Sequence, residues 1–178
     1  MRLSLCIILA LMLTGCYKNE SSKTDTLLYC LENSPKSFNP QISQDIATLD
    51  VTTHQLYNRL VKIDPTTNHF IADLAEDWVI SEDNTQYTFS LKKDVPFHDT
   101  EYFTPSRNLN ASDVIFSFQR ILKQSHPFHS INNNLDVDFI NHPFASLIDN
   151  IVKIDDYTVQ INLNKPDATL LSNLAAPY

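Results

Sequence analysis

Two histidines three residues apart, His126 and His129, head the short list of side chains that could do chemistry. At that spacing they would share one face of a helix and suit a metal pair. Pro127 between them and the Asn-rich stretch that follows argue against a helix there. His142, Asp136 and Asp138 could complete a ligand set only through loop folding, and no H-E-x-x-H or C-x-x-C element supports one. Solvated loop histidines are the reading these residues favour, and no metal or other cofactor is expected. Nucleophilic catalysis has no anchor either. There is no G-x-S-x-G element, and no glycine after Gly15 from which to build a nucleophile elbow or a phosphate cradle. Cys30 lies in an apolar run, an environment that does not activate a thiol. The acid pairs Glu76-Asp77, Glu82-Asp83 and Asp155-Asp156 fall at expected turns, where carboxylates serve as solvated caps. With no nucleophile placed beside a base, the chain does not read as an enzyme. Arg59 and Arg107 are the notable cations. Arg107 follows a rigid Pro105-Ser106 turn into a helix start, and an ion pair that supports the fold is its expected role.

The N-terminus carries a different message. Met1-Arg2 is positive, residues 3–13 are mostly apolar, and Leu13-Thr14-Gly15-Cys16 follows. This is the layout of an export signal, and the apolar stretch is far short of the roughly 20 residues needed to span a bilayer. The last four residues resemble a bacterial lipobox. That resemblance implies cleavage after residue 15 and lipidation of Cys16, with the mature chain anchored in the cell envelope and facing the periplasm or the exterior. Residues 16–26 are polar and without apolar periodicity, so they read as a flexible tether. Residues 27–178 remain as the folded domain, long enough for a core of its own.

Composition narrows the partners. The 178 residues hold 13 Lys and Arg against 21 Asp and Glu, a net charge of −8, which becomes −9 once Arg2 leaves with the signal. No basic stripe exists to neutralise phosphates, which argues against nucleic acid. Of the three cysteines, Cys6 leaves with the signal and Cys16 is consumed by lipid, so Cys30 stands alone in an oxidising setting. A lone thiol there indicates a partner elsewhere, a reactive site, or burial in a strand. The single glycine of the chain is Gly15. Asn and Asp must therefore take every later backbone position with positive φ.

The elements that must position any site follow from periodicity and turn chemistry. Residues 27–31 form a short apolar run ahead of Asn33-Ser34-Pro35 and predict a buried strand, and residues 37–41 a loop. Leu49, Thr53, Leu56, Tyr57 and Leu60 recur at helical spacing, ended by Pro65. Residues 78–81 and 85–91 flank Glu82-Asp83-Asn84, and Tyr87, Phe89 and Leu91 alternate with polar residues, which predicts a hairpin. Val95-Pro96-Phe97 suits only a strand end or edge. Residues 110–124 predict a helix capped by Asn110, with Asp113 in its first turn and Val114, Ile115, Phe118, Ile121 and Leu122 on one face. Residues 125–143 are irregular. A second hairpin turns at Asp155-Asp156, with Tyr157, Val159, Ile161 and Leu163 alternating after it, and a helix starts near Asp167.

Several of these segments, in this order, resemble the family 5 extracellular solute-binding proteins, receptors of dipeptide, oligopeptide and related ABC importers. The segments are Leu56-Tyr57-Asn58-Arg59-Leu60, Leu74-Ala75-Glu76-Asp77-Trp78, residues 87–93, residues 110–118, residues 155–159 and Lys165-Pro166-Asp167-Ala168. Residues 94–97, 103–107 and 126–129 lean within the family toward the Sap (antimicrobial-peptide) receptor and its dipeptide- and haem-binding relatives. The resemblance implies an α/β fold (mixed α+β), the N-terminal part of a two-lobed periplasmic-binding-protein type II fold with mixed sheets and hairpins. Family members are roughly three times this length, so the chain is expected to be an N-terminal fragment. The implied function is the lipid-anchored substrate-binding component of a peptide importer, with an inner-membrane permease and ATPase as partners. Two alternatives stand beside it: a haem receptor in which His126, His129 or His142 ligates, and a truncated surface lipoprotein without transport function. The implied cleft wall is Asp45, Ile46, Ala47 and Thr48, with Tyr57; the resemblance implies that the family's decisive Asp and Arg for peptide termini come largely from a lobe outside this chain. The first-strand cysteine of dipeptide receptors is disulfide-bonded far downstream, which implies a downstream partner for Cys30. Two departures stand out. Asn84 and Asp94 occupy places where the family has glycine, and Ile46 replaces a glycine of the cleft loop.

Overall fold

The computed structural model describes residues 28–41, 43, 45–129 and 143–176. The export signal, Cys16, the tether, Leu27, Asp136, Asp138 and His142 lie outside the described residues. The chain divides after Leu31. In the first unit, residues 28–31 run without regular structure and Leu28, Tyr29 and Cys30 are exposed, contrary to the buried strand expected there. An apolar run becomes a strand only where another strand supplies a ladder, and apolarity alone says nothing about the partner.

The second unit, Glu32–Tyr178, is built around two hairpins. In the first, β3 (Ala75–Ile80) pairs with β4 (Gln86–Leu91); in the second, β5 (Ile148–Asp155) pairs with β6 (Thr158–Leu163). They join through β4 and β6, with Phe89 opposite Val159, in a four-stranded antiparallel sheet of order β3-β4-β6-β5. A smaller antiparallel pair, β1 (Val61–Ile63) and β2 (Phe70–Ala72), went unnoticed in the sequence because three-residue strands carry too little alternation. Among the described residues both sheets are antiparallel, which narrows the expectation of mixed sheets within a mixed α/β fold.

Alternation in β4 and β6 puts Tyr87, Phe89, Leu91, Val159, Ile161 and Leu163 into one core. Against this face pack α2 (Ala111–Leu122) and, next to β1, α4 (Leu170–Ala175), whose Val114, Leu170 and Leu174 are buried; α3 (Pro143–Leu147) leads into β5. The start of α2 follows its capping signal. The Asn110 side chain accepts from the Ser112 N–H at 2.9 Å, and the Asp113 carboxylate accepts from the Asn110 N–H at 2.9 Å. Val95-Pro96-Phe97 forms no strand, although the Val95 carbonyl accepts from Leu109 N–H at 2.9 Å.

Three non-glycine residues hold positive φ: Asn68 at 57°, Asn84 at 55° and Asp94 at 56°. Asn84 and Asp94 are the two places where the family resemblance expects glycine. A short polar side chain tolerates the left-handed region better than other substituted residues do.

The first helix departs from its expected span. α1 (Ile46–Val51) begins earlier than its apolar spacing suggests because Asp45 caps it, and it passes into a π-helical turn, Thr52–Leu56. Thr52 Oγ1 donates to the Thr48 carbonyl at 2.7 Å, and Thr53 Oγ1 donates to the Leu49 carbonyl. Such back-bonding by adjacent threonines competes with the regular ladder. The Tyr57 N–H reaches the Thr52 carbonyl at 2.9 Å, five residues back, and the backbone turns extended at Tyr57.

Candidate ligand-binding site

The π-helical turn is the local irregularity that shapes the site, as such turns often do. It delivers Thr53, Tyr57, Asn58 and Arg59 to a half-open cavity of about 430 Å³. Asn39, Pro40 and Gln41 form another side, and α2 contributes Asp113, Ser117 and Arg120 over an apolar floor that includes Leu60 and Val114. An apolar floor with a few polar groups at its rim, at this volume, is the make-up of a small-molecule pocket.

Each rim group is held by its own neighbours. The Tyr57 hydroxyl donates to the Phe38 carbonyl at 3.0 Å, which ties the 37–41 loop to the end of the turn. Asp73 accepts from Asn58 Nδ2 at 3.1 Å and from the Arg59 N–H at 2.9 Å, fixing the strand entry. Arg59 Nη1 donates to the Ala175 carbonyl at the end of α4 at 2.6 Å, and Nη2 donates to the Thr53 carbonyl at 3.1 Å. Burial lowers the pKa of this guanidinium, against a smaller opposing pull from Asp73. Arg120 Nε donates to the Phe128 carbonyl at 3.0 Å, and burial lowers its pKa too. Asp113 is fully engaged: Arg107 Nη1 and Nη2 reach its two oxygens at 2.6 and 2.8 Å. Burial pushes the Asp113 carboxyl up, but the hydrogen bonds from Arg107 and from the Asn110 N–H outweigh it, and the net shift is downward. Arg107 thus has the supporting ion-pair role expected of it.

The residues expected to form a cleft wall separate. Tyr57 lines the cavity; Asp45, Ile46, Ala47 and Thr48 do not. Asp45 accepts from Thr48 N–H at 3.0 Å, from Thr48 Oγ1 at 2.5 Å and from Ser43 Oγ at 2.7 Å. These bonds, chiefly the one from the Thr48 hydroxyl, lower its pKa from 3.8 to about 2. Thr48 Oγ1 also accepts from the N–H groups of Lys36 and Ser37 at 3.0 and 3.3 Å, in full burial. Ala47 is half-buried, whereas Ile46 is 86% exposed. Asn39, Asn58, Ser117 and Arg120 were not legible as site residues. Only the Asn39-Pro40-Gln41 loop and the Leu56–Leu60 segment carried any signal.

The histidines part company as well. His129 is 7% exposed, not solvated, and its Nδ1 lies 2.7 Å from the Arg120 carbonyl. A carbonyl only accepts, so Nδ1 carries the proton there, and in the neutral ring Nε2 keeps its lone pair. In His126 the roles reverse: Nδ1 accepts from the Phe128 N–H at 3.2 Å. Among the described residues no three His, Cys, Asp or Glu side chains gather as a metal site, and no helix is long and apolar enough to cross a membrane.

The fold and the cavity define a binding protein of the periplasmic type II class, as its neighbours of known structure show. The dipeptide binding protein from Pseudoalteromonas sp. SM9913, solved in complex with Met-Leu, superposes with a TM-score of 0.78 at 41% identity, covering 84% of this chain and 29% of the neighbour. Residues 69–178 match the model of bacterial extracellular solute-binding proteins, family 5 Middle. The chain belongs to that family, which consists of substrate-binding proteins rather than enzymes. Heme-binding protein A of Haemophilus influenzae is 40% identical over 159 residues, 89% of this chain and 29% of the relative. The dipeptide-binding protein of Escherichia coli is 42% identical over 158 residues, 89% of this chain and 30% of the relative. The chain therefore spans about three tenths of the length of these curated relatives.

Proposed function

We propose that this chain supplies one wall of the ligand site in a peptide-binding receptor of an ABC importer, held at the envelope through a lipidated Cys16. The observation that carries the reading is the joint likeness, in sequence and backbone, to a dipeptide-binding protein solved with its ligand. The half-open cavity beside Tyr57 supports it, since the cavity has hydrogen-bonding groups at the rim and no catalytic grouping. Tyr57 takes a ligand contact in this reading. Asp45 and Thr48 act behind it, holding the helix and the 37–41 loop, while Ile46 stands at the surface and Ala47 is half-buried. Cys30, exposed and free among the described residues, takes the disulfide role with a partner downstream. Capture of antimicrobial peptides, with permease and ATPase as membrane partners, is the narrower form of the same reading.

Haem is the second ligand class. A relative named as a heme-binding protein favours it, as does His129, whose Nδ1–H contact to a backbone carbonyl is the arrangement that prepares Nε2 for a metal. Calorimetric titration of the full chain in detergent with the dipeptide Met-Leu and, separately, with haem tests both. The peptide reading expects saturable dipeptide binding that Tyr57→Ala weakens. Stoichiometric haem binding lost in His129→Ala, with no dipeptide heat, would overturn it.

A further inference from the structure

Arg59 joins two walls of the cavity that are far apart in the chain. Its Nη2 donates to the Thr53 carbonyl in the π-helical turn at 3.1 Å, and its Nη1 donates to the Ala175 carbonyl, 116 residues away, at 2.6 Å. Both carbonyls lie at C-terminal ends: Thr53 is among the last four residues of its turn, and Ala175 closes α4. Carbonyls in those positions lack a donor within the helix and need one from outside. Thr53 and Ala175 are buried, and leaving a buried acceptor unmet is costly. A cation is a favoured group at such an end. The residue is also held from behind. The Arg59 N–H donates to Asp73 Oδ2 at 2.9 Å, and the Arg59 carbonyl accepts from the Leu74 N–H at 2.8 Å. Asp73 acts electrostatically on the guanidinium as well, so the charge has a carboxylate near it. The two terminal nitrogens therefore serve as a planar span between two backbone carbonyls. A lysine ammonium, a single point charge on a flexible stem, cannot reproduce that fork.

We propose that Arg59 is a positioning residue: it caps the π-helical turn and α4 together, and so fixes the spacing between the Tyr57 wall and the Asn173–Leu174 wall of the cavity. The proposal rests on the peptide reading above and deepens it. Tyr57 follows the capped turn directly, and Asn173 and Leu174 directly precede the capped Ala175; all three line the cavity. Walls set in place before the ligand arrives spare it the cost of ordering them. The same brace makes the two walls respond as one, so a peptide laid against Tyr57 restrains α4 too.

The test combines calorimetric titration with Met-Leu and hydrogen–deuterium exchange, on the full chain in detergent. In the unaltered chain, saturating Met-Leu should slow exchange at residues 53–59 and 170–176 together. Arg59→Lys keeps the charge and the stem. It should weaken Met-Leu about tenfold, the equivalent of one charge-assisted hydrogen bond, and confine the ligand's protection to residues 53–59. Asn84→Ala loosens the β3–β4 turn, outside the cavity lining, and should leave both readouts as they are. Undiminished affinity in Arg59→Lys, or protection at 170–176 that persists in it, overturns the brace and leaves the peptide reading standing. Protection at 53–59 alone in the unaltered chain overturns it without any variant. An equal loss of affinity in Asn84→Ala reduces Arg59 to a general support and overturns it as well. Failure of the unaltered chain to bind Met-Leu overturns the peptide reading, and this assignment with it.

Discussion

The hairpin sheet and the α1 region solve the same problem in opposite ways. In the sheet, Phe89, Leu91 and Ile161 are inside and the polar residues between them look out. Around α1 the fully buried side chains are Thr48 and Thr52, while Phe38, Ile46, Leu56 and Tyr57 are exposed. Apolar burial holds the first region, with each large side chain contributing a few kcal/mol. A knot of hydrogen bonds centred on Thr48 holds the second. A region that keeps its hydroxyls in and its aromatic and aliphatic groups out is organised for something to be laid against it. The candidate cavity opens where that region meets α2.

The largest expected effect is on the sheet. Phe89→Ala should cost about 3–5 kcal/mol, read from urea denaturation, because the side chain is wholly buried in the core at the strand pair that joins the two hairpins. Thr48→Val sharpens the contrast. It removes the acceptor of the Lys36 and Ser37 N–H groups at nearly constant shape, and should cost about 2 kcal/mol. Hydrogen exchange should quicken first at residues 36–48 while β4 and β6 keep their protection. A uniform loss of protection would erase the distinction between the regions.

Acid should find the same seam. The folded pKa of Asp45, about 2, lies below its ordinary value of 3.8. Its contribution to stability is therefore complete above about pH 4 and is lost as the pH falls toward 2. Circular dichroism with exchange at pH 2–4 should show α1 loosening, and Asp45→Asn should remove that pH dependence. Two smaller effects belong to the sheet side. Asn110→Ala should cost about 1 kcal/mol through loss of the α2 cap. Asn84→Ala should cost roughly 0.5–1 kcal/mol at a φ of 55°, whereas Asn84→Gly should be neutral or slightly stabilising.

The contrast also explains what was readable. Both hairpins and α2 announce themselves through alternation, acidic turns and the Asn110–Asp113 cap, because burial of one face imposes a period on the sequence. Asn84 and Asp94 were readable as left-handed positions from the family resemblance and from the absence of glycine. The start of α1 is not legible in the spacing of Leu49, Thr53, Leu56, Tyr57 and Leu60, because it depends on one carboxylate, Asp45, meeting Thr48. The cavity was read only in part. Tyr57 sat in a family segment, but Arg120 lies on a helix whose pattern reports packing and says nothing about which of its polar residues line a cavity. His129 looked solvated because no pattern marks a ring that folds back on a carbonyl nine residues earlier.

The most direct measurement is hydrogen–deuterium exchange of the full chain in detergent with and without saturating Met-Leu. The account predicts slowed exchange at residues 38–41 and 53–59 and along the cavity side of α2, with β4 and β6 unchanged. Protection confined to the sheet, or no protection at all under saturating peptide, would contradict it.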